Sequence, residues 1–293
     1  MSLTDLVRCP TCDAPVVIGG DEAVCAAGHR FGVVDDVLVL VDEETLARDP
    51  HYERQRLYFD AEFARYRHYA PENWRISYLR RLRAAGALGN EELPMIDVGV
   101  GGSGHTVIEA ARSGSTAVGC DLSLEALRGA RRFADEQGVA GRTLWVCCSA
   151  ERLPFASASF SAVLAIAVLE HVPDDTAALG EIARVLSVGG RAWVTVPHAL
   201  RHISPLFRLP NRRHDRRLGH LRRYEATTLV EAARRVGLVV EDIQFTGHPV
   251  KVLQLLAGRY SERLWWWCER RDLGRAREPS GSMQLSVLLT RVA

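Results

Sequence analysis

The stretch Met95-Ile-Asp-Val-Gly-Val-Gly-Gly-Ser-Gly104 carries the strongest fold signal in the chain. A short apolar strand enters a turn that contains four glycines, and an amphipathic segment follows it. Glycines let the backbone approach a ligand closely, and the helix behind them presents free N–H groups. The stretch therefore predicts a nucleotide-type cofactor site. It does not identify the ligand, because dinucleotides, flavins and S-adenosylmethionine are all bound by such turns.

Apolar segments on both sides of this stretch alternate with amphipathic ones. Continuous apolar strands separated by helices are typical of a parallel sheet that is covered on both faces. The predicted fold class is therefore α/β, a Rossmann-like sheet of seven strands with its ligand at their carboxyl ends. The predicted strands cover residues 94–99, 116–120, 144–148, 161–168, 192–196, 239–245 and 283–290.

Asp121 ends the second predicted strand, 24 residues after Asp97. A carboxylate at this place would accept hydrogen bonds from both ribose hydroxyls of a nucleotide cofactor. A dinucleotide fingerprint also fits the letters, because Gly99, Gly101 and Gly104 follow the pattern Gly-x-Gly-x-x-Gly. That alternative leaves two motifs unexplained, Leu153-Pro-Phe155 and Leu169-Glu-His-Val-Pro-Asp174.

Five motifs occur in order: Asp97-Val-Gly-Val-Gly101, Asp121, Leu153-Pro-Phe155, Leu169-Glu-His-Val-Pro-Asp174 and Gly189-Gly190. Together they resemble the class I S-adenosylmethionine-dependent methyltransferases, in particular the broad group that acts on small molecules and lipids. The resemblance covers about residues 55–293. It implies a seven-stranded, mostly parallel sheet whose final strand is antiparallel.

The resemblance also implies roles for residues around the cofactor. Gly99, Gly101 and Gly102 would approach the methionyl moiety, and Asp121 would bind the ribose hydroxyls. The further contacts that it implies, to adenine and to the methionine end, are Leu122, Ala150, Glu151 and Ile166.

The chain departs from the family pattern at two places. Ser103 stands where the third glycine of the turn is usual, and a glycine follows at 104. Ser149 follows the third strand, where an aspartate commonly reads the adenine amino group. A hydroxyl still forms a hydrogen bond there, although it is weaker than that of a carboxylate. We therefore keep Ser149 among the predicted cofactor contacts.

Two histidines are the candidate catalytic residues. Methyl transfer is an in-line displacement from a sulfonium, so positioning supplies much of the catalysis. A hydroxyl acceptor also needs a base with a pKa near neutral. His171 and His198, at the ends of the fourth and fifth predicted strands, are the candidate bases, with His220 next. The alternative for His171 is a structural role in a motif that leads into the helix at Asp174.

Residues 201–223 are rich in arginine and histidine and are predicted to form a basic loop. One interpretation is a lid that recognises phosphate, carboxylate or an RNA backbone, because arginine suits these groups. The other is a solvated, mobile loop. The stretch His220-Leu-Arg-Arg-Tyr224 resembles the segment that faces the substrate in related methyltransferases. The candidate substrate contacts are Arg201, His220 and Tyr224.

The first forty residues carry an independent pattern. Cys9-Pro-Thr-Cys12 is followed by Cys25-Ala-Ala-Gly-His29, with a short hairpin predicted between them. Two such knuckles predict a zinc ribbon, and four protein ligands make the metal structural. A redox role for Cys-x-x-Cys would need a βαβ context, which this stretch does not offer. The predicted Zn²⁺ ligands are Cys9, Cys12, Cys25 and His29.

The ribbon stretch resembles two kinds of known ribbon. Its ligand spacing is similar to that of bacterial rRNA (guanine-N1)-methyltransferases. The continuation from His29 to Leu40 is more similar to small ribbon proteins that activate tRNA and protein methyltransferases. Both resemblances concern residues outside the predicted catalytic domain, and both indicate that the protein takes part in methyl transfer.

Aromatic residues flank the predicted core domain. Tyr58 and Tyr66 lie in a predicted helix over residues 52–69 and are candidates to touch the cofactor, with core packing as the alternative. Trp265-Trp266-Trp267 cannot all face one side of a helix. A homodimer contact, an apolar substrate wall and a membrane surface therefore stand beside core packing as interpretations.

The predicted domains are a zinc ribbon over residues 1–42 and a methyltransferase domain over 43–293. The latter has a core at 91–200 and a substrate lid with the last strands at 201–293. The formal net charge is +1, so no global field attracts nucleic acid or membrane. No apolar run approaches the ~18 residues of a membrane span, and no signal core begins the chain. We therefore expect a cytoplasmic protein.

Three functions remain open from the sequence. The first is S-adenosylmethionine-dependent methylation, on oxygen, of a small-molecule, glycan or lipid-linked acceptor. The second is an RNA base methyltransferase whose ribbon and basic segment grip phosphates. The third is a non-catalytic S-adenosylmethionine-binding interaction partner.

Overall fold

The computed structural model describes residues 2–41, 47, 49–66, 69, 73–88, 93–257 and 260–292. The predicted domain boundary between residues 42 and 43 lies outside these residues. The strands of the described residues form a single sheet. They are β1 (Val16–Gly19), β2 (Glu22–Cys25), β3 (Arg30–Val34), β4 (Val37–Val39), β5 (Met95–Val98), β6 (Ala117–Asp121), β7 (Thr143–Cys147), β8 (Phe160–Ile166), β9 (Leu186–Pro197), β10 (Leu238–Thr246) and β11 (Gln284–Arg291).

Helices cover the sheet and surround its carboxyl-terminal edge. Two short 3₁₀ segments lie at Leu3–Leu6 and Ala140–Arg142. Within the described part of the chain, no helix combines the length and the apolar character needed to cross a membrane. The α-helices are α1 (Pro50–Phe63), α2 (Asn73–Ala84), α3 (His105–Arg112), α4 (Leu124–Glu136), α5 (Asp175–Val185), α6 (Pro205–Leu218), α7 (Ala226–Arg235), α8 (Val250–Ala257) and α9 (Glu262–Leu273).

All seven predicted strands are present, in the order β7-β6-β5-β8-β9-β11-β10. The strands from β7 to β9 are parallel, and β11 is antiparallel to both of its neighbours. The central strand β5 is fully buried, and Asp97 pairs with Gly119 of β6 and Leu164 of β8. The carboxyl ends of β5 and β6 therefore meet at one edge, where the glycine turn begins.

The prediction of a seven-stranded sheet is wrong, because the sheet has eleven strands among the described residues. The N-terminal strands β1 to β4 extend it beyond β7. Strand β4 pairs with β7 in parallel, and Val37 lies opposite Trp145. An uncovered edge strand leaves unpaired N–H and C=O groups, and β4 supplies partners for those of β7. The predicted hairpin is confirmed as β1 and β2.

The N-terminal segment also packs on the Leu153-Pro-Phe155 motif. The amide of Arg8 donates to the carbonyl of Pro154 at 2.9 Å, and the amide of Ala156 donates to the carbonyl of Leu6 at 2.9 Å. Leu153 and Phe155 are buried in the same apolar cluster as Leu6. This motif therefore contributes to packing between the N-terminal segment and the core.

The segment predicted as a basic loop is largely helical. Helix α6 starts at Pro205, which suits the first turn, and ends before Gly219 in a left-handed conformation with φ of 74°. None of its residues is buried. Its half-buried face includes the polar Asn211 and Asp215, which interrupt an apolar stripe, so the pattern of arginines resembled a loop.

The three adjacent tryptophans lie on α9 and none of them is buried. Trp267 is 41% exposed, and the Arg271 guanidinium lies 5.2 Å from the centre of its ring. The Arg80 guanidinium lies 4.4 Å from the centre of the Trp266 ring. Cation–π contacts therefore replace the core packing that was one of the interpretations.

Asp272 joins α9 to the end of β10. Its buried carboxylate accepts hydrogen bonds from the amides of Gly247 (3.0 Å) and His248 (2.8 Å) and lies 2.8 Å from His248 Nδ1. Burial raises the pKa of Asp272, but the hydrogen bonds from His248 and Gly247 outweigh it and hold that pKa below its usual value. The charged form is therefore favoured by folding.

We expect Asp272→Asn to lower the free energy of unfolding at pH 7 by ~1–3 kcal/mol, because a charge-assisted network is lost. A carboxyl group whose pKa is lower in the folded than in the unfolded protein stabilises the fold at pH values above its unfolded pKa of about 3.9. This stabilisation is lost as the pH falls through the folded pKa. The variant should therefore lose less stability than the wild type below about pH 4. Urea unfolding at pH 7 and in acid measures both effects.

The matched control is Asp135→Asn, because the Asp135 side chain is exposed where it pairs with Arg131. It should change the free energy of unfolding at pH 7 by ~0.5 kcal/mol or less. Equal unfolding curves for Asp272→Asn and wild type at both pH values would contradict the expected role of Asp272.

Candidate cofactor and active site

One cavity of about 920 Å³ lies at the carboxyl ends of the central strands. It reaches from the glycine turn after β5 to the helices α6 and α8. Gly99, Asp121, Ala167 and Pro197 line it at the ends of β5, β6, β8 and β9. The ligand site expected for this fold therefore coincides with a real opening in the described part of the molecule.

The glycine turn is fixed against the end of β6. The amides of Gly99 and Val100 donate to the carbonyl of Cys120 at 2.8 and 3.0 Å. The amide of Gly101 donates to Asp121 Oδ2, and the amide of Ser123 donates to Oδ1, both at 2.9 Å. Burial raises the pKa of Asp121. The carboxylate therefore anchors the turn and retains oxygen lone pairs that can face a ligand.

Gly99 requires glycine for two reasons. Its φ of 71° is in the left-handed region, and a Cβ there would lie 2.5 Å from Cγ2 of Val168. Any side chain would therefore push the turn away from β8 and into the cavity.

We expect Gly99→Ala to lower the free energy of unfolding by ~2–4 kcal/mol, from overpacking and left-handed strain together. The control is Gly114→Ala, because Gly114 has φ of 97° and no heavy atom within 4 Å of its added Cβ. Adding Val168→Ala should recover part of the loss. Urea unfolding compares the variants, and equal losses for the two alanine variants would argue against the Val168 contact.

Most of the predicted cofactor contacts line the cavity, and two do not. Gly102 faces α1, where an added Cβ would lie 2.9 Å from Cβ of Phe63. The Glu151 carboxylate accepts a hydrogen bond from the amide of Asp174 at the start of α5. The predicted contacts that line the cavity are Gly99, Gly101, Asp121, Leu122, Ser149, Ala150 and Ile166.

Helix α1 covers the cavity with aromatic side chains. Phe59 and Phe63 line it and stack on each other with ring centres 5.6 Å apart. Tyr58 and Tyr66, the sequence candidates, are not among the lining residues. Which aromatic side chains of α1 face the cavity depends on how the helix is rotated about its axis. The mixed aromatic pattern of residues 52–69 did not predict that rotation.

His171 lines the cavity and is held from several sides. Its Nδ1 lies 2.9 Å from Oε1 of Gln55, and its backbone carbonyl accepts a hydrogen bond from His51 at 2.7 Å. Its ring meets Phe59 edge to face. Burial, followed by the nearby charge of His220, lowers the pKa of His171 to about 3. The imidazole is therefore neutral at pH 7 and a weaker base than the near-neutral one expected from sequence.

His198 is buried outside the cavity lining. Its Nδ1 lies 2.7 Å from the Ser282 hydroxyl, and its ring stacks on His202 with centres 4.2 Å apart. Burial, followed by His202, lowers the pKa of His198 to about 4. The structure therefore does not bring this candidate base to the cavity surface.

Of the three predicted substrate contacts, only His220 lines the cavity. The Arg201 side chain is 71% exposed and forms an ion pair with Glu225 at 2.8 Å. The buried Tyr224 hydroxyl lies 3.0 Å from the carbonyl oxygen of Leu169 and 2.7 Å from a carboxylate oxygen of Asp175. Tyr224 therefore joins the end of β8 to α5.

The sequence interpretation missed a polar wall opposite the glycine turn. Glu170, His214 and Arg223 line the cavity beside His171 and His220. Glu170 is 1% exposed, and its Oε2 has no hydrogen-bond partner among the described residues. Burial raises the pKa of Glu170 to about 8. The only sequence signal for Glu170 was its place in the Leu169–Asp174 motif, in which His171 alone was predicted to have a catalytic role.

The four predicted ribbon ligands lie together. Cys9 Sγ and Cys25 Sγ are 3.5 and 3.3 Å from His29 Nδ1, and Cys12 Sγ is 3.7 Å from Cys25 Sγ. All four ligand atoms are within 4.8 Å of one another. These residues are therefore close enough to share one ion.

Comparison with known proteins defines the class of the core. Residues 96–194 match the model of the methyltransferase domain family. With the strand order described above, this makes the segment a class I S-adenosylmethionine-dependent methyltransferase domain. The dinucleotide alternative is thereby excluded for the glycine turn.

Curated relatives are similar over this domain. The chain is 34% identical over 97 residues to methyltransferase GfsG of Streptomyces halstedii, covering 33% of the chain and 35% of that protein. It is 33% identical over 127 residues to a ubiquinone biosynthesis O-methyltransferase of Parvibaculum lavamentivorans, covering 41% and 49%. A demethylmenaquinone methyltransferase of Tropheryma whipplei is 33% identical over 139 residues, covering 47% and 54%. The chain thus spans about half or less of these relatives.

Solved structures share the fold over most of the chain. Geranyl diphosphate C-methyltransferase from Streptomyces coelicolor superimposes with a TM-score of 0.62, 18% identity and coverage of 83% of this chain and 99% of that one. The [4+2]-cyclase SpnF superimposes with a TM-score of 0.55, 19% identity and coverage of 83% and 94%. These likenesses establish the fold alone.

Proposed function

We propose that this protein transfers a methyl group from S-adenosylmethionine to an oxygen of a small organic acceptor. The observation that carries the proposal is the shared cavity, which joins the Asp121 carboxylate to the polar wall of Glu170, His171 and His220. One end suits a nucleoside and the other suits a polar acceptor atom. Two of the relatives named above are, by their names, a ubiquinone biosynthesis O-methyltransferase and a demethylmenaquinone methyltransferase, which supports a small-molecule acceptor.

The residues at the glycine turn fit the cofactor. Gly99 lets the turn pack against Val168, where a Cβ would collide, and the half-buried carboxylate of Asp121 accepts a hydrogen bond from Gly101 of the same turn. In our proposal Asp121 binds the ribose hydroxyls, Leu122 and Ala150 flank adenine, and Gly99 lies beside the methionyl moiety. When bound, S-adenosylmethionine supplies a methyl group on a sulfonium that is already activated for displacement.

The remaining lining supports an acceptor that is partly aromatic or apolar. Phe59, Tyr78, Leu218, Leu255 and Met283 line the cavity between the glycine turn and helices α6 and α8. Apolar walls with a few convergent polar groups are typical of small-molecule sites. The polar wall then selects the oxygen that faces the methyl group.

We further propose that the ribbon ligands hold a structural Zn²⁺. Tetrahedral zinc with bonds of about 2.3 Å to sulfur and about 2.0 Å to nitrogen places neighbouring ligand atoms ~3.5–3.8 Å apart. The measured separations of 3.3–3.7 Å are close to these edges. Four protein ligands leave no open position, so the ion would stabilise the β1–β4 segment and take no part in catalysis.

A second candidate function, RNA methylation, is supported by the exposed arginines of α6. Arg208, Arg212, Arg213, Arg216 and Arg217 are all exposed on this helix beside the cavity. The chain is also 31% identical over 109 residues to a tRNA 5-carboxymethoxyuridine methyltransferase of Escherichia coli. Phosphate contacts by these side chains would make binding steeply salt-dependent.

Turnover with methyl-labelled S-adenosylmethionine distinguishes the candidates. We expect label in a methyl ether when hydroxylated aromatic acceptors such as a catechol are supplied. Label in bulk tRNA, with binding that weakens steeply as salt rises, would favour the RNA function instead. Cofactor binding without transfer to any acceptor would favour a non-catalytic partner or, as the fold of SpnF indicates, a different reaction.

A further inference from the structure

Three side chains of the polar wall converge on one point of the cavity. Glu170, His171 and His220 each place one ligand atom within 4.8 Å of the other two. The rings of His171 and His220 meet edge to face with centres 4.7 Å apart. Glu170 and His171 are adjacent after β8, whereas His220 follows α6, so folding brings the set together.

His171 directs a free nitrogen away from its supporting residue. The Gln55 amide nitrogen donates to the carbonyl of Leu218 at 3.1 Å, which fixes which end of the amide faces His171. Gln55 Oε1 is therefore an acceptor 2.9 Å from His171 Nδ1, so Nδ1 carries the proton. The lone pair of Nε2 is consequently available.

His220 is supported in the same way by a carboxylate. Its Nδ1 lies 2.9 Å from Oδ1 of Asp215, and Arg223 binds Asp215 through Nε and Nη2 at 2.7 and 2.8 Å. A carboxylate that holds one imidazole nitrogen fixes the ring and makes the other nitrogen a better metal ligand. The Nε2 atom of His220 is thus the available donor.

Glu170 completes the set with an unpaired oxygen. It is 1% exposed, and Oε2 has no hydrogen-bond partner among the described residues. A buried carboxylate oxygen without a partner is costly, and a cation is the usual way to compensate it. Glu170 therefore joins two imidazoles whose Nδ1 atoms are held by Gln55 and Asp215, as the third candidate ligand of the group.

We propose that Glu170, His171 and His220 bind a divalent first-row transition metal ion. Two imidazoles and one carboxylate on one face leave further positions of the ion open, and imidazole favours transition metals over Mg²⁺. The class of acceptor that we infer for this site rests on the proposed function, whereas binding of the ion does not. The open positions suit an acceptor with two neighbouring oxygens, such as a catechol or a hydroxy-ketone.

The ion would orient the acceptor and acidify its hydroxyl. The bound hydroxyl releases its proton to solvent, and its oxygen forms a bond to the methyl carbon as the carbon–sulfur bond breaks. The sulfur keeps the bonding electron pair, which gives S-adenosylhomocysteine and a methyl ether.

A second group, His198, His202 and Glu225, also has metal-like spacing. Two of its candidate ligand atoms already pair with each other, because His202 Nε2 lies 2.7 Å from Glu225 Oε2. It therefore serves as the internal comparison for the proposed site.

The test is Co²⁺ uptake by the full-length protein, measured by elemental analysis after removal of unbound ion. We expect about one Co²⁺ per chain beyond the ribbon metal, without a thiolate-to-cobalt absorption band. Glu170→Gln and His220→Gln should each weaken uptake at least tenfold, while His202→Gln should leave it unchanged. Adding catechol should shift the visible spectrum of the bound Co²⁺, and phenol should not.

Several results would overturn the proposal. These are no Co²⁺ uptake by the wild type, full uptake by both Glu170→Gln and His220→Gln, or loss of uptake in His202→Gln. If catechol leaves the visible spectrum of the bound Co²⁺ unchanged, the proposal that the ion binds an acceptor through two neighbouring oxygens is wrong. Titration of the wild type with S-adenosylmethionine distinguishes failure of the metal site from failure of the proposed function. If the protein takes up Co²⁺ but does not bind the cofactor, only the proposed function is wrong. Thermal unfolding verifies that each variant is folded.

Discussion

Replacing Cys12 with serine is expected to release the ribbon metal and to lower the free energy of unfolding by ~5 kcal/mol or more. Cys12 is exposed, so its substitution changes little besides the proposed coordination. Metal binding at such sites contributes directly to folding, and the strands it would hold cover the edge of β7. Elemental analysis should show a loss of about one zinc per chain, and urea unfolding measures the loss of stability.

The control for this prediction is Cys268→Ala. Cys268 is buried in α9, far in sequence from the ribbon, and is not among the clustered metal ligands. Its truncation should cost ~1–2 kcal/mol from a small cavity and leave the zinc content unchanged. A Cys12→Ser protein with wild-type zinc content would contradict the proposed coordination.

Asp121→Asn is the second change with a large expected effect. We expect the affinity for S-adenosylmethionine to fall about a hundredfold, or ~2.7 kcal/mol. In the proposed function the variant loses charge-assisted hydrogen bonds to the ribose, each of which is worth ~1.5–3 kcal/mol. It also loses one anchor of the glycine turn, because Asp121 accepts from the amides of Gly101 and Ser123. Equilibrium dialysis with labelled cofactor measures the change.

Asp35→Asn is the matched control for the cofactor site. Asp35 is an exposed partner of Arg128 and does not line the cavity. Its variant should bind S-adenosylmethionine as the wild type does. If Asp121→Asn also binds with wild-type affinity while remaining folded, the ribose contact assigned to Asp121 is wrong.

The core of the fold could be predicted because its signals are local. The apolar strand before Gly99 and the capping residue Ser123, whose hydroxyl accepts from the amide of Ala126, each show in a few neighbouring letters. The joining of the N-terminal strands to the sheet could not be predicted, since β4 pairs with β7 across about a hundred residues of sequence. Helix α6 was missed because its half-buried face includes the polar Asn211 and Asp215, which interrupt the apolar stripe expected of a packed helix.

In the candidate site, too, some residues could be predicted from local sequence and others could not. Asp121 was found because its distance from the glycine turn is a fixed property of the fold. The polar wall depends on Gln55, Glu170 and Asp215, which come from three separate segments and meet only after folding. Sequence spacing contains no information about which of two histidines faces the cavity, so His198 and His171 looked equivalent.

The most direct test of the central claim is calorimetric titration of the wild-type protein with S-adenosylmethionine. The proposed function predicts saturable binding of one molecule per chain, with S-adenosylhomocysteine competing for the same site. Absence of heat and of competition, in protein that carries its ribbon metal and unfolds cooperatively, would contradict the assignment of the cavity beside Asp121 to this cofactor.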